Sequence, residues 1–327
     1  MSELGRGRRN ENKDEVPIPE IPERRLADSW KEIHGQDDWV GMLDPMDPLL
    51  RSELYDTVKW LKHAMMPSIR TLRLRSDRYL HASYNINLPF LFKKSLRPDG
   101  WTPSANWMGY VAVSNDETSA YLGRRDITIA WRGTVTKLEW IADVTDFLRS
   151  IALHKIPSPD PRVKAESGFI HVYTDKDINC KFCKYSAREQ ILAEIKRLIK
   201  KHEDEELSIT ITGHSLGSAL AIINAYDIAE TGADVMTTGE LCLVPSVPGV
   251  FFNEQLPAVL QKIGEVSPWC YSHVGVELAL DHKNSPFLKE TSDLTCFHNL
   301  EALLHLVDGY HGKGQRFGLP AEGTLHW

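Results

Sequence analysis

The chain of 327 residues lacks any apolar run that approaches the roughly 20 residues needed to cross a bilayer. Acidic residues outnumber basic ones, 45 to 38, which gives a formal net charge of −7. The basic residues form no stripe along the sequence. These absences argue against a membrane-spanning helix and against nucleic acid as a partner.

The N-terminal segment has no hydrophobic core of the kind that marks a secretory signal. It contains arginines, but it also carries Glu3, Glu11, Asp14 and Glu15, whereas transit peptides are poor in acidic residues. We therefore expect residues 1–25 to be a disordered tail that is not a transit peptide. Residues 26–327 are expected to form a single domain.

Cysteine is scarce, with five residues at irregular spacing: Cys180, Cys183, Cys242, Cys270 and Cys296. An odd number in a chain of this length is typical of a reducing compartment. Cys180 and Cys183 form a C-x-x-C motif, but no second pair or nearby histidine completes a zinc site. The sequence predicts surface or packed thiols here, and neither a metal nor a cofactor.

Strand-like and helix-like patterns alternate along the rest of the chain. Residues 78–86, 106–114 and 124–133 and the stretch "LSITIT" from Leu207 are predicted strands. Ser186 with Glu189 forms a capping box ahead of an amphipathic helix. A Trp- and Pro-rich segment, "SWKEIHGQDDWVGMLDPMDPLL", is expected to pack as a collar against the main domain. The alternation predicts an α/β fold with helices on both faces of the sheet.

A G-x-S-x-G pentapeptide, Gly213 to Gly217, lies between the strand "SITIT" and a helix rich in small residues. In this context the pattern predicts a nucleophile elbow, with Ser215 on a strained strand-to-helix turn. The bland alternative is a glycine-flanked helix start in a nucleotide-binding fold. No phosphate-cradling glycine run or P-loop lysine supports that alternative.

Four stretches together make the sequence similar to the class 3 lipases: "GHSLGSAL", "AWRGTVTKLEWIADVTD", "SGFIHVYT" and "HNLEALLHLVDGYHG". Within that family it resembles the plant phospholipase A1 group, especially the plastid-type class I. The resemblance implies an α/β-hydrolase with a mostly parallel sheet and flanking helices. It also implies a serine ester hydrolase that needs no metal.

Acyl transfer needs hydrogen-bond donors for the oxyanion and a base for the serine. The amide after the nucleophile belongs to Leu216, and the resemblance assigns the second donor to Thr134. The base should follow the acid in chain order, which leaves His298, His305 and His311. The resemblance favours His298, the first residue of "HNLEALLH", and places His305 in a packed or surface-bonded role.

An apolar stripe follows the proposed oxyanion strand: Leu138, Trp140, Ile141, Val144, Phe147 and Leu148. In the resembling lipases this position carries a lid that covers the site in water and opens on lipid. An equally acceptable interpretation is a helix that simply packs on the sheet.

The triad acid is missing from its expected place. The family carries an Asp in an "N-x-x-D-x-V-P" turn, but here the residue two before Val244 is Cys242. The stretch from Gly232 to Leu243 is also too short for a strand, a crossover and a second strand, because a crossover alone takes about 10–12 residues. We therefore expect strands to be missing near residues 232–243. Other acidic residues are better interpreted as solvated surface charges: Asp227, Glu240, Glu277, Asp281 and Asp308.

Two functions remain open at this point. The first is hydrolysis of glycerolipid acyl esters. The resemblance implies phospholipids, cleaved at the sn-1 position, as the preferred substrate, with galactolipids and triacylglycerols as the other options. A peripheral membrane surface is then a further partner. The second is a catalytically impaired lipase-like protein that binds lipid or another partner, since the triad Asp is absent. Acyl transfer to an alcohol would use the same residues. The resembled family implies a chloroplast location, whereas the absence of a transit peptide in this sequence implies the cytoplasm.

Overall fold

The computed structural model describes residues 24–65, 74–82, 106–133, 148–151, 156–160, 163–231, 236–243, 276, 278, 280–288 and 299–318. The expected tail, 1–25, therefore lies almost entirely outside the described residues. Statements on structure below concern the described ranges.

The described part contains seven α-helices. They are α1 (Leu26–Ile33), α2 (Pro48–Met65), α3 (Asp116–Leu122), α4 (Ser167–Thr174), α5 (Ala187–Lys201), α6 (Leu216–Thr231) and α7 (Leu300–Gly309), with a short 3₁₀ turn at His282–Asn284. The capping box predicted for α5 is confirmed. The Ser186 backbone N–H donates to the Glu189 carboxylate at 2.9 Å, and the Glu189 N–H donates to Ser186 Oγ at 3.1 Å.

The described strands are β1 (Leu74–Ala82), β2 (Asn106–Ser114), β3 (Arg125–Trp131), β4 (Leu148–Ser150), β5 (Lys164–Glu166), β6 (Leu207–His214) and β7 (Met236–Leu243). Five of them form one sheet in the order β1-β2-β3-β6-β7, and β4 pairs with β5 in a small antiparallel ribbon. The predicted strands at 106–114 and 124–133 are confirmed. The first strand begins and ends four residues earlier than the pattern at 78–86 predicts.

The sheet is mixed rather than mostly parallel, which corrects the expectation. β3 and β7 run parallel to β6, but β2 is antiparallel to both of its neighbours, β1 and β3. The physical reason is the short link between β2 and β3. Residues 115–124 are fewer than the dozen or more that a parallel crossover needs, so the chain returns at the same end of the sheet.

Residues 236–243 form one strand, in line with the argument from spacing that only one fits there. This strand, β7, lies directly beside β6 after the single helix α6, so β6, α6 and β7 make one parallel crossover unit.

Helices cover both faces of the sheet. One face packs buried side chains of β3 and β6, including Ile129, Trp131 and Ile211, against α4, α5 and α6. The other face packs Tyr110, Ala112 and Ala130 against Val58 and Leu61 of α2 and Leu304 of α7. Burial of these two apolar layers is the main stabilising term of the fold.

The predicted collar packs against the main domain, as expected. Its residues Met46 and Leu50 are buried with Leu26 and Ile33 of α1, and the Met46 N–H donates to the His311 carbonyl at 2.9 Å. The segment therefore joins the start of the domain to the residues after α7.

A buried ion cluster ties α2 to the start of β3. The Arg124 guanidinium donates to Glu53 at 2.8 Å and also contacts His34, which lies 3.1 Å from the same carboxylate. Burial would raise the pKa of Glu53, but the His34 hydrogen bond and the Arg124 charge outweigh it and lower that pKa to about 2. The N-terminal half of α2 is thereby held at the amino end of β3.

Among the described helices, none combines the length and the apolar character that a membrane span requires.

Candidate active site

Strand β6 ends in a sharp turn whose central residue is Ser215. Its backbone φ is +61°, in the left-handed region that non-glycine residues seldom adopt. Such an outlier stores roughly 1–3 kcal/mol and persists only where the surrounding structure holds it. The turn leads directly into α6, so the strand–serine–helix geometry predicted from the sequence is present.

The two glycines of the pentapeptide allow the turn to close. A Cβ on Gly213 would overlap the carbonyl oxygen of Gly217, and a Cβ on Gly217 would lie 2.5 Å from the Trp131 carbonyl oxygen. Any side chain at either position would push α6 away from β6 or from the end of β3. The spacing of the motif thus reflects direct backbone contact on both sides of Ser215.

The Ser215 hydroxyl is held out of solvent. Its Oγ is buried and has no hydrogen-bond partner among the described residues. A buried hydroxyl of this kind is normally hydrogen-bonded, and each exception in a native structure asks for an explanation. A serine nucleophile is activated by a base brought to this hydroxyl, so an Oγ with no structural partner fits that role.

The first residue of α6, Leu216, presents its N–H at the helix N-terminus. The Ser215 carbonyl already accepts from the Ser218 N–H at 3.0 Å, which closes the first turn. N–H groups in the first turn of a helix have no partner within the helix, and the helix dipole makes that end positive. The Leu216 amide is therefore suited to stabilise an oxyanion next to Ser215.

The chain after β3 passes directly beside the elbow. A Cβ on Gly133 would lie 2.5 Å from the His214 carbonyl oxygen. Thr134, the predicted second oxyanion donor, is the next residue but lies outside the described residues. So do the predicted lid residues Leu138, Trp140, Ile141, Val144 and Phe147. Gly133, which contacts the elbow, is the residue directly before Thr134.

The predicted base, His298, is also outside the described residues, but the helix that follows it is described. Asn299 caps α7, its side chain accepting from the Glu301 N–H at 2.9 Å. The described helix therefore begins two residues after His298.

The direction of α7 follows from its contact with α2. Near the C-terminal end of α7, the Asp308 carbonyl accepts from Arg51 at 3.4 Å. Arg51 lies in the first turn of α2, two residues before Glu53, which is held at the amino end of β3. The opposite end of α7, where residue 299 lies, is therefore directed toward the carboxyl end of the sheet, the end that carries Ser215.

The other two C-terminal histidines have structural partners. His305 Nε2 lies 2.7 Å from Ser285 Oγ and its ring packs against Phe317, as expected for a packed histidine. His311 contacts the Arg51 guanidinium at 2.8 Å and lies 2.8 Å from the Gly318 carbonyl oxygen through Nε2.

Strand β7 places Cys242 at the level of the elbow. The parallel register pairs Cys242 with Gly213 and Leu243 with His214. Cys242, which the resemblance places at the position of the acid, thus lies on the strand next to the one that leads into Ser215.

Asp227 is a correction to the expectation of solvated acidic residues. It is fully buried on α6 and accepts two hydrogen bonds from Arg188, at 2.7 and 2.9 Å, and one from the Tyr173 hydroxyl at 2.8 Å. Burial, with the Asp227 charge beside it, raises the pKa of Tyr173 well above its usual 10. The expectation was wrong because only the packing of α4 and α5 on α6 encloses this carboxylate. Asp281 is exposed as expected, and Glu277 lies outside the described residues.

This network behind the elbow was not foreseen from the sequence. Trp131 Nε1 donates to Asn224 at 3.2 Å, and Asn224 donates to the Tyr173 hydroxyl at 3.1 Å. It links the end of β3 to α6 and α4 and so fixes the helix that carries Leu216. Its residues are distant in sequence and follow no motif.

The C-x-x-C motif is a disulfide between Cys180 and Cys183, which corrects the expectation of free thiols. The loop after α4 folds so that the Cys183 N–H donates to Cys180 Sγ at 3.1 Å and brings the two side chains together. Within the described residues there is no cluster of His, Cys, Asp or Glu that could hold a metal.

Comparison with known proteins agrees with this geometry. Residues 128–250 match the family model "Lipase (class 3)", a range that includes β3, the elbow and β7. The chain is 50% identical to phospholipase A1-Igamma2, chloroplastic, of Arabidopsis thaliana, over 93% of this chain and 69% of that protein. It is 36% identical to phospholipase A1-II 4 of rice, Oryza sativa subsp. japonica, over 91% of this chain and 85% of that protein.

The alignment with the Arabidopsis relative spans 368 positions, more than the 327 residues of the whole chain. The relative therefore has internal residues with no counterpart here, in agreement with the expectation of an internal shortening.

Among solved structures, Lip2 lipase from Yarrowia lipolytica matches at 16% identity and a TM-score of 0.40, over 60% of this chain and 59% of that chain. The helix-covered sheet and the nucleophile elbow at Ser215 are the features of an α/β-hydrolase fold. From these features and its sequence relatives, the chain belongs to the class 3 lipase family.

Proposed function

We propose that the chain is a serine ester hydrolase that cleaves acyl esters of glycerolipids, with Ser215 as the nucleophile. The observation that carries the proposal is the left-handed backbone of Ser215 together with its buried, unpartnered Oγ among the described residues. The Arabidopsis and rice relatives are named phospholipases A1, which favours phospholipids as the substrate class. Galactolipids and triacylglycerols remain the other options.

The proposed reaction uses one proton carrier and two backbone donors. Ser215 Oγ attacks the ester carbonyl carbon while His298 takes the hydroxyl proton. The N–H groups of Leu216 and Thr134 hold the oxyanion, each worth roughly 2.7–4 kcal/mol in such sites. The tetrahedral intermediate expels the lysolipid alkoxide, which receives the proton from His298.

Deacylation repeats these steps with water. His298 removes a proton from the water, the hydroxide attacks the acyl-enzyme, and the fatty acid leaves as Ser215 Oγ regains the proton. No metal or cofactor takes part in the proposed reaction.

His298 is favoured as the base because α7 directs its N-terminus toward the end of the sheet that carries Ser215. The structural contacts of His305 and His311 favour it further. The apolar residues 138–147 are proposed as a lid over this site. The lid proposal predicts that Trp140→Ala changes the ratio of activity on aggregated to dispersed substrate, and an unchanged ratio would contradict it.

A fluorophosphonate probe tests the proposed nucleophile directly, because it labels only an activated serine. Labelling of the folded protein that is lost in Ser215→Ala and strongly reduced in His298→Ala would support the mechanism. Folded protein that takes no label would instead favour a lipase-like protein without turnover, an alternative that the comparisons do not favour. Product analysis with competing alcohol acceptors separates hydrolysis from acyl transfer.

A chloroplast location is proposed from the names of the relatives, three of which are chloroplastic phospholipases A1 of Arabidopsis. Immunoblotting of isolated plastids and of the cytosolic fraction tests it, and recovery only in the cytosol would contradict it.

A further inference from the structure

The loop between α4 and α5, residues 175–186, exposes three large apolar side chains. Ile178 is 76% exposed, Phe182 55% and Tyr185 58%. They are three of the eight large apolar side chains that are exposed among the described residues, and they lie within a stretch of eight residues. We call residues 175–186 the docking loop. A cluster of exposed large apolar residues on a soluble domain is typical of an interaction surface.

The docking loop is held in shape by covalent and backbone bonds. The Cys180–Cys183 disulfide lies beneath it, with Cys183 fully buried. The Asp177 N–H donates to the Cys183 carbonyl at 2.9 Å, and the Cys180 N–H donates to the Asp177 carbonyl at 3.0 Å. The buried disulfide leaves Lys181 and Phe182, the residues between the two cysteines, at the surface, so the exposed apolar side chains are a feature of an ordered loop.

Basic side chains surround these apolar residues. Lys176, Lys181 and Lys184 are exposed, and Lys181 Nζ lies 5.3 Å from the centre of the Phe182 ring.

The nearby acidic groups are partly engaged. Asp175 pairs with His171 at 3.2 Å, Glu189 pairs with Lys176 at 2.6 Å, and Asp177 Oδ1 accepts from the Asn179 N–H. With three lysines and two aspartates, residues 175–186 carry a formal charge of +1, although the chain as a whole carries a net charge of −7.

The docking loop lies at the same end of the sheet as Ser215. β1 and β6 run in the same direction, because β1 is antiparallel to β2, β2 is antiparallel to β3, and β3 is parallel to β6. The register passes from Leu80 through Gly109 and Trp131 to Gly213, so residue 81 lies level with the elbow.

Contacts at His81 fix the loop to that end. The Phe182 ring stacks on the His81 ring with centroids 5.1 Å apart. Gln190, near the start of α5, donates to the His81 carbonyl at 2.8 Å and accepts from the His81 N–H at 3.3 Å. Three inter-strand spacings separate β1 from β6, which corresponds to about 14 Å.

We propose that the docking loop binds the surface of an anionic lipid bilayer. Ile178, Phe182 and Tyr185 enter the interface between headgroups and acyl chains, and Lys181 and Lys184 contact anionic headgroups. A bilayer bound in this way faces the end of the sheet that carries Ser215. The inference rests on the proposed function in one respect: an enzyme that hydrolyses membrane lipids must bind the membrane that contains its substrate.

Charge complementarity favours a bilayer over a protein partner. Lysines flank the exposed apolar side chains, and the loop lies at one end of the sheet. This arrangement fits a planar anionic surface, in which the charged headgroups have no fixed positions. A protein partner is the alternative outcome in which lipid vesicles fail to bind.

The test is co-sedimentation with vesicles, performed in the Ser215→Ala background so that lipid is not consumed. One set of vesicles is phosphatidylcholine alone and the other contains phosphatidylglycerol. Binding is expected to be stronger to the anionic vesicles. Ile178→Ser with Phe182→Ser and Tyr185→Ser should weaken it by about tenfold or more. Lys181→Gln with Lys184→Gln should weaken binding to anionic vesicles by about twentyfold and abolish the preference for them.

Matched control substitutions lie at the other end of the sheet. Tyr121→Ser removes an equally exposed aromatic side chain, 63% exposed, from α3, which precedes the start of β3. Lys200→Gln with Lys201→Gln removes two charges from the C-terminal end of α5. Both controls should bind vesicles as the parent does, and circular dichroism should show every variant folded.

Three results would overturn the proposal: a parent that binds neither kind of vesicle, docking-loop variants that bind as the parent does, or controls that lose as much affinity as the loop variants. Hydrolysis of a short-chain, water-soluble ester by the same variants with Ser215 restored separates this proposal from the proposed function. The loop variants should retain that activity, since they do not touch the elbow.

Discussion

Cys242 pairs with Gly213 in the parallel register of β7 and β6, which brings the position of the absent acid to the level of the nucleophile elbow. The resemblance implies an aspartate at this position, which would orient the histidine and stabilise its charged form. A cysteine side chain carries no carboxylate, so the proposed base, His298, lacks that support. The chain should therefore turn over slowly despite an intact elbow.

Replacement of the cysteine tests this relationship. Cys242→Asp is expected to raise kcat on a soluble ester by about tenfold or more, because losing the acid costs about 10⁴ in kcat in serine proteases. The comparison is Cys242→Asn, which has nearly the same shape but no charge and should leave kcat unchanged. Equal rates for the two variants would show that residue 242 does not reach the histidine.

A methyl group at the first glycine of the motif should disrupt the elbow. In Gly213→Ala the added Cβ overlaps the Gly217 carbonyl, so β6 or α6 must move. We expect a loss of fluorophosphonate labelling by about 100-fold or more, because small displacements of a nucleophile have effects of that size. Gly314→Ala is the control for steric overlap, because nothing lies within 4 Å of the added Cβ, although the positive φ of Gly314, +73°, is itself unfavourable for alanine. It should lower stability by about 1 kcal/mol and leave labelling intact. Normal labelling of Gly213→Ala would contradict the tight packing at the elbow.

The Glu53 cluster predicts a specific acid sensitivity. The folded-state pKa of Glu53 is lowered from 4.5 to about 2, so its contribution to stability is present above pH 4.5 and is lost as the pH falls toward 2. That contribution is up to about 3 kcal/mol. Urea denaturation should show that Glu53→Gln is less stable than the parent at pH 7 and that the difference shrinks between pH 5 and pH 3. A difference independent of pH would mean that the carboxylate charge is not what Arg124 and His34 stabilise.

The disulfide predicts a measurable response to reductant. Reduction should raise the number of titratable thiols by two and lower the stability of the protein by about 2 kcal/mol, the loop-closure value for so short a ring. Cys180→Ser with Cys183→Ser should show the lower stability already and should not respond further. Equal melting temperatures of the parent with and without dithiothreitol, at a confirmed gain of two thiols, would show that the bond adds nothing to stability.

Several features were predictable because they depend on residues close in sequence. The Ser186 and Glu189 capping box needs only the local spacing of a hydroxyl and a carboxylate at a helix start, and it was found as predicted. The single strand in residues 236–243 followed from the length available after the helix.

Other features depended on contacts between distant segments and were missed. The first strand is shifted because its pairing with β2, rather than its own pattern, sets where it begins. Asp227 looks like a surface charge on α6 until α4 and α5 enclose it with Tyr173 and Arg188. The bond between Cys180 and Cys183 depends on the turn of the loop, which the spacing permits but does not require.

The sequence by itself determined the family, the nucleophile motif and the absence of aspartate at residue 242. These depend only on which residue stands at which position. At Gly213 the backbone of Gly217 lies so close that a residue with a side chain does not fit. Only the tertiary structure decided that the sheet is mixed, that residue 242 lies level with the elbow, and that the docking loop lies at the same end of the sheet as Ser215. Strand direction and register arise from pairing across the whole sheet, and no local pattern of residues encodes them.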